Sequence, residues 1–313
     1  NVTPKDLSIT GLTANSRPYD GTVAATLTGT AAIAALQGDT VTLGGAASST
    51  FADKAVGTAK PVTTTGYSIT GTDAGNYNLV TPTLSADITP KALTISGITA
   101  ANKVYDATAL ATVSTAGVTN AVLVSGGMVA TDNVTVSATG TFRNAGNTAD
   151  DKNAGNTKTV KLTSTYGGSD ATNYTITGQA TTTADIAKKD VAFTRIYADN
   201  KTYNASAAAN ITTDTVTGTV GSETLLIGGS GTFESSNPSV NKTVTVANVA
   251  DLTKKDGSGN WSNYNLTNTG PMTTTASILP ASNVSPPPAV LAQLSDEAPT
   301  SVLDRKSTRL NSS

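Results

Sequence analysis

The sequence predicts an all-β fold: three tandem Ig-like β-sandwich repeats in an elongated array. Three observations carry that prediction. Thr, Ala, Val, Gly and Ser dominate the 313 residues, and no long 3.6-residue periodicity runs through them. Short alternating runs are broken by turn signals every ~8–12 residues, the pattern of a sandwich or barrel. Three landmarks also recur in one order three times. A Tyr-Asp or Tyr-Asn pair puts Tyr19, Tyr105 and Tyr203 at spacings of 86 and 98 residues. Asn-Tyr falls at Asn76-Tyr77, Asn173-Tyr174 and Asn263-Tyr264, and Phe51, Phe142 and Phe233 are 91 residues apart. Recurrence at this period means a tandem array of small domains. An array of β-grasp-like units, each with one short helix, is the alternative architecture.

The predicted repeats are residues 3–89, 90–187 and 188–280, each long enough to bury one modest core. In the first, Leu7, Ile9 and Leu12 alternate with polar residues as in a half-buried strand. Pro18-Tyr19-Asp20-Gly21 is a turn, with φ preset by Pro18 and positive φ open to Gly21. Val23 to Leu27, Val41 to Leu43, the region of Phe51, Pro61 to Ile69 and Leu84 to Ile88 read as strands. Ala31 to Gln37 reads as a single helical turn ended by Gly38. The second repeat returns to this pattern at Leu93/Ile95, Val134/Val136, Phe142, Val160/Leu162 and Tyr174/Ile176. Its extra length lies in residues 143–158, where N-A-G-N-T occurs twice and predicts an elongated surface hairpin loop. The third repeat keeps Val191/Phe193, Phe233, Val244/Val246 and Tyr264/Leu266, and inserts Lys254 to Trp261 before its Asn-Tyr.

Asp73-x-Gly75-x-Tyr77-x-Leu79 resembles the run around the tyrosine corner of immunoglobulin domains. Leu79, Ile176 and Leu266 stand where the cysteine would be. The Tyr77, Tyr174 and Tyr264 hydroxyls are expected to bond back to the backbone, with Asp73 and Asp170 capping the turn; in the third repeat the insertion displaces Asp256. The repeats follow one another without linkers, through Ile88-Thr89-Pro90-Lys91 and Ile186-Ala187-Lys188-Lys189. Pro90 stiffens the first connection. Three units end to end at ~3.3 Å per strand residue would span on the order of 100 Å.

Beyond Ala281 the pattern stops. Residues 281–304 form a Pro-rich tail with a polyproline spacer at Pro286-Pro287-Pro288 and one short helical turn at Ala289 to Leu294. Residues 305–313 (R-K-S-T-R-L-N-S-S) break from the composition before them and read as an adapter-derived artefact rather than native sequence. A start at Asn1, with no initiator Met and no signal peptide, is expected of an internal or C-terminal fragment.

A net charge of −2 without a basic run argues against nucleic-acid and anionic-membrane partners. No apolar run reaches the ~18 residues of a spanning helix. Cysteine and histidine are both absent, which removes disulfides, thiolate metal sites and the usual general base near neutral pH. Glu occurs only at 223, 234 and 297, a thin supply for a paired-carboxylate site. No nucleophile elbow or phosphate loop is present, so the expectation is no enzyme activity, no catalytic residue and no cofactor. Asp256-Gly257-Ser258-Gly259-Asn260 is half a calcium loop without its bidentate Glu, which leaves Asp256 as the lone candidate metal ligand and a plain turn as the simpler reading. Trp261, the single tryptophan, is the candidate ligand contact, with core packing as the competing role. Tyr19-Asp20 and Tyr105-Asp106 suit a turn with a buried ring and a side-chain cap better than a binding pair; Tyr203 takes the same position in the third repeat.

Ile88 to Asp106 (I-T-P-K-A-L-T-I-S-G-I-T-A-A-N-K-V-Y-D), Thr50 to Thr58 (T-F-A-D-K-A-V-G-T) and Asp73 to Leu79 (D-A-G-N-Y-N-L) resemble the YDG repeats of filamentous-haemagglutinin-like bacterial adhesins. The resemblance spans about residues 3–280. It is looser in the third repeat, where Tyr203-Asn204 replaces Tyr-Asp and Lys188-Lys189 replaces Pro-Lys. It implies an extracellular stalk or adhesive module of a large secreted surface protein, outer-membrane associated and exported by a two-partner route with an outer-membrane transporter partner. The implied ligand is a host or bacterial surface molecule, glycans included. A carbohydrate-binding module array is the alternative function.

Overall fold

The computed structural model describes residues 2–281. The expected polyproline spacer, the helical turn at 289–294 and the segment 305–313 lie outside the described residues. Strand is the dominant element of the described residues, in sheets that are mainly antiparallel with short parallel pairs and with little helix, so the all-β class holds. It divides into two compact units. One holds residues 2–102 with Ala109–Asp151 and Thr157–Ala184; the other holds Lys103–Thr108, Lys152–Asn156 and the chain from Asp185 on.

In the first unit, Lys5–Ser8 lies parallel to Tyr77–Val80 with Leu7 opposite Leu79. Thr10–Ala14 then pairs antiparallel with Leu27–Ala32. A four-stranded sheet follows in the order Arg17–Pro18, Leu84–Thr89, Gly57–Thr70, Thr42–Phe51. Thr42–Phe51 is continuous through both of the segments that the sequence suggested as separate strands. β-Branched Val62 and Thr64 point inward from Gly57–Thr70 while Thr63 and Thr65 face solvent, the alternation of a half-buried antiparallel strand. The same pattern recurs in Leu110–Ala111, Thr135–Phe142, Gly155–Gly167 and Thr181–Ala187, and Lys91–Thr94 lies parallel to Tyr174–Thr177. Leu7, Ile9, Phe51, Val62 and Ile88 are buried in the first repeat, and Leu93, Ile95, Phe142 and Val160 in the second. Pro90 interrupts the chain for one residue between Leu84–Thr89 and Lys91–Thr94.

The second unit has a six-stranded path in the order Ile196–Ala198, Ala208–Thr213, Leu225–Phe233, Ser239–Val246, Met272–Leu279, Lys201–Thr202. Lys189–Val191 pairs in parallel with Tyr264–Leu266, and Lys103–Val104 pairs in parallel with Ile186–Ala187. Val191, Phe193, Phe233, Val244 and Ile278 are buried here.

One local expectation needs correction. Ala31 to Gln37 is not helical: Ala31 and Ala32 finish a strand and the turn comes at Gln37–Gly38. The helix occurs instead in the second repeat at Asn120–Ser125, where Thr119 caps it by accepting from the Val122 amide and Leu123 is buried beneath it. Alanine-rich propensity is a weak prior, and the cap and the buried anchor decide the outcome. The inserted segment carries a strand as well as the turn expected over Asp256 to Asn260. Thr253–Asp256 adds an edge strand antiparallel to Leu225–Gly228, and the turn follows it.

Candidate functional site

Each YD turn is built by a short side chain bonding its own backbone. Asp20 Oδ1 accepts from the Thr22 amide and hydroxyl, both at 2.8 Å. Asp106 Oδ1 accepts from Thr108 in the same way at 2.9 and 2.8 Å, and Asn204 accepts the Ser206 amide at 3.2 Å. The intervening residue is left-handed in every copy: Gly21 at φ 81°, Ala107 at 63° and Ala205 at 60°. This is the Asx turn expected of Tyr-Asp and Tyr-Asn. A cation two residues before each tyrosine closes the loop. Arg17 donates to the Thr22 carbonyl at 2.6 Å, and Lys103 and Lys201 to the Thr108 and Ser206 carbonyls at 2.7 Å. Burial alone would raise the Asp20 carboxyl, but its bonds from Thr22 and Arg17 outweigh burial and hold it below the usual carboxylate range.

The Asn-Tyr tyrosines sit in a second, equally regular device. The hydroxyls of Tyr77, Tyr174 and Tyr264 accept backbone N–H groups from Leu36, Val129 and Val220 at 2.9, 2.9 and 3.0 Å. Each donates to the acid three residues further on: Asp39 at 2.6 Å, Asp132 at 2.7 Å, and Glu223. The expected bond to backbone is therefore present, and it runs to a loop about forty residues upstream. The expected cap by Asp73 and Asp170 is not made within the turn. Their carboxylates accept the amides of Thr40 and Asn133 instead, at 2.8 and 3.0 Å, and so tie the turn to that same upstream loop. The reason is reach: the short 3-10 turn directs the carboxylate across to the loop rather than onto its own N–H groups. In the third repeat Asn260 stands at this position and caps its own turn through the Ser262 amide at 2.8 Å. Leu79, Ile176 and Leu266 are half-buried.

These two devices meet. Within the first unit, the Tyr19 ring packs edge-on against Tyr174 with centroids 5.6 Å apart and planes at 78°. Within the second, Tyr105 packs on Tyr264 at 5.4 Å and 79°. Edge-to-face pairs of this geometry contribute about 0.5–1.5 kcal/mol beyond the area they bury. Around the first pair, Lys54 reaches Asp132 at 3.1 Å and Asp170 at 3.5 Å, and the Val56 amide donates to Asn173 Oδ1 at 3.1 Å. Around the second, the Ala154 amide donates to Asn263 Oδ1 at 2.8 Å, and Asn263 Nδ2 donates to Asn153 at 3.0 Å. Glu223 accepts from both tyrosines, from Tyr105 at 2.9 Å. Asp132 is one methylene shorter: it accepts from the Tyr174 hydroxyl, and the buried Tyr19 hydroxyl has no hydrogen-bond partner among the described residues. Desolvation first and Glu223 second push the Tyr105 and Tyr264 phenols up to about 12. Burial likewise raises Tyr19 and Tyr174, and Asp132 raises the Lys54 ammonium.

A family model for the YDG domain matches residues 3–85 and again residues 89–184, together more than half of the chain. The chain belongs to the YDG domain family. No curated protein matches it in sequence. The YD pair of a YDG repeat is thus a joint element: Tyr19 and Tyr105 leave their own repeat to pack on the Asn-Tyr of the next. Neither matched stretch extends over the third repeat, whose Tyr203 is half-exposed while Tyr19 and Tyr105 are 1% and 2% exposed.

Asp256, Trp261 and the first part of the 143–158 loop make local bonds, while Asn153 and Ala154 of that loop belong to the second joint. Asp256 accepts the Trp261 amide at 2.8 Å, as a turn-closing carboxylate. Trp261 is half-buried, with its indole N–H directed at the Leu226 and Lys255 carbonyls at 3.2 and 3.1 Å and Lys254 over its ring at 5.8 Å. In the loop 143–158, Arg143 pairs with Asp150, Asn144 accepts the Thr148 amide at 2.9 Å, and Lys158 pairs with Asp151. Sequence reasoning missed Arg17, Lys103 and Lys201, though their constant place two residues before Tyr was a signal. It also missed Asp39, Asp132 and Glu223, whose signal was an acid three residues after Leu36, Val129 or Val220. Lys54 and the Asn side chains of Asn-Tyr had no signal, because their partners belong to another repeat.

Proposed function

We propose that this chain is a structural stalk and adhesive repeat segment of a large secreted bacterial surface adhesin. The observation that carries the reading is the joint. A polar and aromatic cluster ties one repeat to the next and engages its carboxylates and the Asn-Tyr hydroxyls in doing so. On this reading the work is mechanical and involves no catalytic step: the repeats project a binding region from the outer membrane and add weak multivalent contacts to a host or bacterial surface ligand. The full-length protein would reach the surface through an outer-membrane transporter partner, and a chain without cysteines suits export unfolded.

Pulling the chain between its ends in a force spectrometer tests this. Tyr19→Ala should lower the force at which the first two repeats separate, while Trp261→Ala leaves the force unchanged. Equal forces for wild type and Tyr19→Ala would sink the mechanical reading. The carbohydrate-binding alternative rests on Trp261 and the 143–158 loop. Retention of a glycan by the wild-type chain that is lost in Trp261→Ala would favour it over the stalk.

A further inference from the structure

We propose that the face of the first repeat formed by Leu36, Asp39, Asn76 and Tyr77 is a complete joint acceptor, and that it takes the Tyr-Asp turn of another YDG repeat placed ahead of it in the same polypeptide. The machinery matches the occupied acceptors bond for bond. The Tyr77 hydroxyl accepts from Leu36 at 2.9 Å and donates to Asp39 at 2.6 Å, as Tyr174 does with Val129 and Asp132. The Asp39, Asp132 and Glu223 amides each close the same backbone turn onto Leu36, Val129 and Val220 at 3.0 Å.

What differs is the cover. Asn173 and Asn263, which receive an amide from the preceding repeat, are 5% and 1% exposed, whereas Asn76 is exposed. Val129 lies against Gly21, so closely that a β-carbon there would come within 2.8 Å of Val129 Cγ1. Its counterpart Leu36 is 53% exposed. An apolar side chain, a carboxylate and an amide oxygen are therefore displayed together in the arrangement that the occupied joints bury. The chemistry they call for is a phenol ring edge-on to Tyr77, an ammonium group near Asp39 and a backbone N–H for Asn76. Tyr19, Lys54 and Val56 supply that set at the first joint.

A second copy of this chain cannot supply it from its third repeat. Ala59, Thr157 and Asn241 share a left-handed φ of 47°, 50° and 49°, and each precedes a lysine. Counting back three residues from them gives Val56, Ala154 and Pro238, and five residues gives Lys54, Lys152 and Ser236. Proline has no N–H to give, Ser236 carries no charge, and Asn204 replaces the aspartate. The Tyr203 turn thus lacks the charge and the amide of the first donor set, while Leu36 and Asn76 beside the buried Tyr77 stay exposed.

The test is the full chain with a copy of residues 2–88 fused ahead of Thr3, so that Ile88 runs into Thr3-Pro4-Lys5 and reproduces the I-T-P-K connection. Amide exchange reads the outcome. In the recipient repeat the Leu36 amide should exchange about tenfold more slowly than in the unextended chain, the factor that about 1.4 kcal/mol of local stabilisation gives. Lys54→Ala in the added copy, an exposed-side-chain change that spares that copy's core, should return part of the loss. Unchanged Leu36 exchange in the extended chain overturns the proposal. Sedimentation of the unextended chain supplies a second arm: a monomer supports the assignment, and self-association abolished by Tyr203→Ala overturns it in favour of a second copy.

Discussion

One methylene separates the two joints. Glu223 bonds both Tyr105 and Tyr264, whereas Asp132 bonds Tyr174 and leaves the Tyr19 hydroxyl without a partner among the described residues. Tyr19→Phe should therefore be nearly neutral in urea unfolding, because it removes an unpaired buried hydroxyl. Tyr105→Phe should lose about 1.5–3 kcal/mol, the net value of a hydrogen bond to a carboxylate. The turn residues make a second comparison. Ala107 holds φ 63° where its counterpart Gly21 holds 81° without a side-chain penalty. Ala107→Gly should raise the unfolding free energy by about 0.5–1 kcal/mol and the urea midpoint with it, since left-handed strain outweighs the extra unfolded-state entropy of glycine. A lower midpoint would mean that the strain is already relieved.

Turns, rather than strands, set the character of the elements. The strand segments are generic alternations of β-branched and small residues, and their positions were largely legible from period-2 pattern and turn signals. Helix and edge strand were not. Asn120–Ser125 is helical because Thr119 caps it and Leu123 finds a core, while the more alanine-rich Ala31 to Gln37 lacks that anchor. Between elements, the ion pairs differ in how much they should matter. The Asp132 side chain is wholly buried and Lys54 is its only ammonium partner, so Lys54→Ala should cost about 1–3 kcal/mol in the unfolding of the first unit. Lys60→Ala breaks a pair whose Asp53 carboxylate is 59% exposed, and its cost should stay below about 1 kcal/mol. Equal losses in the two variants would remove Asp132 from the joint's energetics.

For the molecule as a whole, pH probes both joints at once. Tyr105 and Tyr264 have folded pKa values of about 12, against about 10 when unfolded. A phenol whose pKa is raised by folding stabilises the fold while it keeps its proton. That contribution is intact below about pH 10 and is lost as pH rises through about 12. Tyrosinate absorbance and circular dichroism followed over this range should show ionisation of the buried tyrosines coinciding with loss of structure. Glu223→Gln, which removes the carboxylate that raises both phenols, should move ionisation of the pair to lower pH. Titration of every tyrosine near pH 10 without structural loss would contradict this account.

The sequence by itself determined the strand-and-turn character, the threefold recurrence and the family. Those properties are local, written in side-chain alternation, in Asp or Asn bonding its own backbone, and in landmark spacing. The Asx turn at Tyr19-Asp20 was readable for that reason, since donor and acceptor are two residues apart. Only the tertiary structure decided what the tyrosines are for. Lys54 and Asp132 lie 78 residues apart, and Tyr105 and Glu223 lie 118 apart. Each residue of these pairs is unremarkable within its own repeat. Their meaning comes from desolvation and edge-on ring packing when one repeat is laid against the next, and no pattern along a single repeat encodes which surfaces will meet.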